Sequence, residues 1–106
     1  MGALIYPVNR ASPIEMDDRT LAHLQIIIGS KLRSGQGFFF SWTEDVANGS
    51  GRTSVWIYPS LELRFVYATA QRHVLNRGWL ESLMNSANSA EGLSLTSEPR
   101  AVALAA

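Results

Sequence analysis

Three alternating stretches in the middle of this chain leave little choice of architecture. "FFFSWT" (38–43) sets Phe38, Phe40 and Trp42 against Phe39, Ser41 and Thr43. "RTSVWIYP" (52–59) sets Val55 and Ile57 against Ser54, Trp56 and Tyr58. "LELRFVY" (61–67) sets Leu61, Leu63, Phe65 and Tyr67 against Glu62, Arg64 and Val66. Successive side chains of a strand point to opposite faces, so each stretch reads as a strand with one apolar side. Strands this close in sequence, separated by Gly, Asn, Ser and Pro, read as an antiparallel meander. The apolar face of such a sheet has to be covered by something else.

Two amphipathic segments can cover it. In "MDDRTLAHLQ" and the residues after it, Leu21, Leu24, Gln25, Ile28 and Leu32 share a face at about 100° per residue, with Ile27 at its margin and His23 nearly opposite Leu21. Asp17 or Asp18 suits the N-cap, Lys31 and Arg33 suit the last turn, and Gly35 is a natural stop, which gives a helix over roughly 18–33. Farther on, Trp79, Leu80, Leu83, Met84, Ala87 and Ala90 form one face behind an Asn76 cap, and Gly92 suits the C′ position. At the start, Leu4, Tyr6 and Val8 alternate, as do Ile14 and Met16 after a turn-like "NRAS"; these read as a hairpin. "LSLT" at 93–96 fits a short edge strand. The expected order is ββαβββα. It describes a single α+β domain over 1–96, an antiparallel sheet packed by two helices, with a flexible tail at 97–106.

Composition narrows the function classes. A chain of 106 residues is the size of one domain, and it contains no cysteine, which removes disulfides, thiol nucleophiles and thiolate zinc sites. Nine basic and nine acidic residues cancel, which argues against a dedicated DNA or anionic-membrane binder. The N-terminus does not read as a signal peptide and no apolar run approaches a membrane span, so the expected location is the cytoplasm, with no membrane partner.

The candidate sites are few. Asp17, Asp18 and His23 raise the question of acid/base chemistry, but helix capping is the preferred account of the carboxylates. His23 and His73 are the only imidazoles and stand far apart in sequence; with no cysteine, neither a metal nor any other cofactor is expected. "GSKLRSG" and "GQGFFF" fail the spacing of phosphate and dinucleotide loops. Arg72, His73 and Arg77 lie at the start of the second helix, where an anion would offset their conflict with the helix dipole; solvated arginines, one paired with Glu81, fit as well. Adding Arg52 and Arg64 as phosphate contacts, with Trp56 and Tyr58 as stacking rings, gives a candidate nucleic-acid surface. Glu44, Asp45 and Arg52, around "EDVANGSGR", are a third candidate, for a small ligand. Ile26 points away from the core among Ala22, Gly29 and Ser30, either as a lone exposed side chain or as a patch for a symmetric partner.

The motifs "DDRTLAHLQIIIGSKLRSG" with "FFFSW", then "GRTSVWIYPS" and "NRGWLESLMNSANSAEGL", resemble a family of short bacterial proteins of unknown function, from about residue 3 to residue 98. Members of that family are often labelled ATP-dependent DNA ligase, which would imply an accessory role in DNA ligation or repair. The residues do not carry ligase chemistry. A lysine–AMP adduct needs K-x-D-G, whereas Lys31, the lone lysine, precedes Leu32, Arg33 and Ser34. The expected function is therefore a non-catalytic interaction module that forms a homodimer, with a nucleic-acid accessory domain as the alternative.

Overall fold

The computed structural model describes residues 1–7, 13–43 and 51–99. Its elements are β1 (Gly2–Ile5), β2 (Ile14–Met16), α1 (Asp18–Arg33), β3 (Phe38–Thr43), β4 (Arg52–Ile57), β5 (Arg64–Val66), α2 (Arg77–Ala87) and β6 (Leu93–Ser94). The expected order is present, with the edge strand after the second helix as its last element. The strands of the expected hairpin are paired: β1 and β2 run antiparallel, Gly2 opposite Met16 and Leu4 opposite Ile14, while Val8 and the expected turn at 9–12 lie outside the described residues.

The strands do not form one meander. They form two three-stranded sheets, in the orders β2-β1-β5 and β4-β3-β6. β3 and β4 pair antiparallel over their full length, Phe38 opposite Ile57 and Thr43 opposite Arg52. β5 leaves them and pairs with β1, Phe65 opposite Leu4. A turn after β4, closed by Leu61 N–H donating to Tyr58 O at 2.9 Å, begins the change of direction. β6 runs parallel to β3, Phe40 opposite Leu93. Parallel pairing needs a long crossover, and α2 lies in this one.

Both sheets share a single core. One cluster holds Leu4, Ile14 and Met16 from the first sheet, Phe38, Phe40, Ile57 and Leu93 from the second, Leu21, Leu24, Ile27 and Ile28 of α1, and Trp79, Leu83 and Ala87 of α2. α1 packs on both β1 and α2. That double contact widens its buried arc. Leu21, Leu24 and Ile28 are buried as their spacing predicts, but so are His23, Ile27 and Lys31. Expected opposite the core, His23 has no exposed surface, whereas Gln25, expected on the core face, is exposed. Ile26, Ala22, Gly29 and Ser30 occupy the remaining outer arc, with Ile26 47% exposed.

The caps follow the sequence more closely. Asp17 is the N-cap of α1, its Oδ1 accepting from Thr20 N–H at 2.7 Å. Past Arg33 the backbone closes a Schellman motif: Gly35 N–H donates to Leu32 O and Gln36 N–H to Lys31 O, with Gly35 at φ 76°. Asn76 caps α2 through Trp79 N–H. Gly92 does not stop α2, whose C-cap is Asn88. It sits at the entry to β6 at φ 88°, where a Cβ would run into the carbonyl oxygen of Phe39. Among the described residues no helix is long and apolar enough to cross a membrane.

Candidate functional site

The opening carboxylates hold backbone. Asp17 is used in capping, and the bonds to Thr20 hold its carboxyl below the usual range. Asp18, the first residue of α1, reaches across to the segment after β5, where its two oxygens accept from Ala68 N–H at 3.0 Å and Thr69 N–H at 3.1 Å. Those bonds favour the ionised form, and the carboxyl of Asp18 is likewise held down, the bond from Ala68 contributing most. His23 is committed as well. Its Nδ1 lies 2.7 Å from Arg19 O, and Asn76 N–H donates to Nε2 at 2.8 Å, so the proton sits on Nδ1. The ring stacks at a tilt on Trp79, centroids 4.5 Å apart. His23 thus ties α1 to the cap of α2.

Arg19 continues the same tie. Its guanidinium donates to Val74 O at 2.8 Å and grips both oxygens of Glu98 at 2.7 and 2.8 Å. Asn76 Nδ2 also donates to Glu98 Oε2 at 2.8 Å and to Pro99 O at 3.2 Å. The first residues of the expected tail are therefore anchored; residues 100–106 lie outside the described residues.

Between α1 and the segment these contacts fix is a groove of about 540 Å³. Ala22 and Ile26 form its helical wall, and Gln71, Arg72, His73 and Leu75 the opposite one. At one end Tyr67 Oη donates to Gln25 Oε1 at 2.6 Å; burial pushes the phenol upward, with a smaller push from Asp18. The Nε2 atom of His73 is buried with no hydrogen-bond partner among the described residues. Leu75 is 40% exposed and Val74 84%. Two sets of residues read separately in the sequence thus meet here, the outer face of α1 and the Arg72–His73 pair.

The other candidate contacts do not join them. Arg77 opens α2 and is exposed. Arg64 lines a different depression with Ile5, Tyr6, Pro7 and Glu62. Arg52 stands opposite Thr43 at the start of β4. Trp56 and Tyr58 are exposed at 52% and 40%, on and just after β4. Glu44 and Asp45, from the small-ligand candidate, lie outside the described residues. Among the described residues no three His, Asp or Glu side chains are placed to hold a metal ion.

A family model described as a domain of unknown function (DUF7882) matches residues 1–98. No curated protein and no solved structure matches the chain.

Proposed function

The chain belongs to this family of domains of unknown function, and we propose that it is a non-catalytic interaction module that pairs with a second copy of itself through the outer face of α1. The observation that carries this reading is Gly29. A glycine in the middle of a helix costs about 0.5–1 kcal/mol relative to alanine. A Cβ built on Gly29 meets nothing within 4 Å, so nothing described within the chain calls for the missing side chain. An approaching helix would. Ala22, Ile26, Gly29 and Ser30 form a face of small residues around one exposed isoleucine, which lets two helix backbones come close in a self-complementary contact. Asp17, Asp18 and His23 are occupied with capping, backbone contacts and the tie to α2, which supports a role without catalysis.

Light scattering behind size exclusion tests the pairing. The expected result is a dimer that Ile26→Glu and Gly29→Leu convert to monomers with unchanged circular dichroism. A wild-type chain that stays monomeric at high micromolar concentration would falsify the reading.

One observation favours a second reading. Arg72 and His73 stand together at the groove, so the module would contact nucleic-acid phosphates there. This is the accessory role, in a bacterial cytoplasm, that the ligase label of the resembled family suggests. It predicts salt-sensitive DNA retardation that Arg72→Ala weakens. An unshifted band at low salt rules it out.

A further inference from the structure

The outer side of β3 and β4 holds an aromatic pair that the pairing of α1 does not use. Trp56 is 52% exposed and Phe39 46%. Their rings meet edge to face, centroids 5.1 Å apart. Gly37 lies under the indole: a Cβ there would stand 2.6 Å from Trp56 Cζ2 and 3.2 Å from Ile57 O. The ring is therefore seated on bare backbone, with half the residue left open.

A groove of about 580 Å³ runs from this ring to the end of α2, past Gln36, Asn88 and Ser89, with Lys31 in its wall. Lys31 is 8% exposed. Its Nζ donates to Asn88 Oδ1 at 2.7 Å, and among the described residues no carboxylate forms an ion pair with it. An ammonium has three donors, so one with a single neutral acceptor among the described residues has donors to spare. With Asn88 Oδ1 taken, the Nδ2 donors of the same amide remain for another acceptor.

The surroundings select among ligands. Both α1 and α2 end at this groove, and helix C-termini carry partial negative charge. A phosphate or carboxylate would face those ends as well as the ammonium. A neutral ring with several hydroxyls meets no such conflict, because its oxygens can accept from Lys31 and from the Nδ2 of Asn88 without bringing negative charge to those ends. The flat C–H face of such a ring also matches an open indole, whose π face is electron-rich.

We propose that this groove binds a neutral pyranose ring at the exposed end of an oligosaccharide, with Trp56 as the stacking platform and Lys31 and Asn88 as hydrogen donors. These residues are distinct from the outer face of α1, so the site does not depend on pairing. The test is a titration of the isotope-labelled full chain with cellobiose, maltose and chitobiose, following the tryptophan indole N–H signals and the Gly37 and Asn88 amides by NMR. The expected result is a saturable shift of the Trp56 indole and the Gly37 amide with at least one sugar, unchanged by high salt. Trp56→Ala should weaken that binding by at least about tenfold, Asn88→Ala should weaken it less, and Trp56→Phe should retain most of it. Absence of a saturable shift at Trp56 and Gly37 with all three sugars overturns the proposal. So does tighter, salt-sensitive binding of inorganic phosphate or AMP at the same signals.

Discussion

His23 has no exposed surface, and each of its ring nitrogens meets a backbone group, Arg19 O and Asn76 N–H. Truncating it opens a cavity against Trp79 and leaves Asn76 N–H without its acceptor, while Arg19 O keeps the intrahelical bond from the backbone N–H of residue 23. His23→Ala is expected to cost about 3 kcal/mol, read as a lower midpoint in urea unfolding. Glu98 gives a pH signature. The Arg19 guanidinium, aided by Asn76, pulls its carboxyl down from 4.5 to about 2. A carboxyl depressed on folding stabilises the native state above its unfolded value, and that contribution disappears as pH falls through the folded value. The stability difference between wild type and Glu98→Gln should therefore be constant above about pH 5 and shrink between 4.5 and about 2. Thermal melts across that range check it, and a difference independent of pH contradicts it. Neither role was legible in the sequence. A histidine opposite the expected core face carries no local sign of burial, and Glu98 finds Arg19 across 79 positions.

Within an element the sequence was more explicit. Caps are local chemistry: Asp17, Gly35 and Asn76 each act within a few residues, and each was readable. Gly92 misleads, because a glycine after an amphipathic run signals a helix stop while its actual constraint is the backbone of β3. Strand existence was readable from alternation, but strand partnership was not. Phe65 on β5 has the same pattern whether it lies beside β4 or opposite Leu4 on β1. The apolar spacing of α1 understates its buried arc because His23 and Lys31 face a second partner, α2 and its C-cap. At this scale Gly29→Ala is the sharper variant. In chain dilute enough to be monomeric it should stabilise by about 0.5–1 kcal/mol, since the added methyl meets open space. Urea unfolding at low concentration checks this; a loss of stability would mean the site is crowded after all.

Over the whole molecule, two sheets of three strands share one core through α1 and α2. Neither sheet has a core of its own, because both bury their apolar side chains in the one shared cluster. The two halves should therefore unfold together, and far-ultraviolet dichroism and tryptophan fluorescence should trace one coincident urea transition. Separate midpoints would show that one sheet survives the other. The α+β class was evident from the alternation of strand and helix patterns, and the candidate surface only in fragments. The α1 face and the Arg72–His73 pair became one groove through Asp18 holding Ala68 and Thr69, a contact that sequence separation conceals.

The pairing of β1 with β5 and of β3 with β6 has a consequence during synthesis. The first sheet waits for residues 64–66 and the second for residues 93–94. A nascent chain on the ribosome thus displays its hairpins and α1 without a finished core until translation is almost past β6. Messages truncated before that point would yield a sticky, degradable product rather than a smaller stable protein.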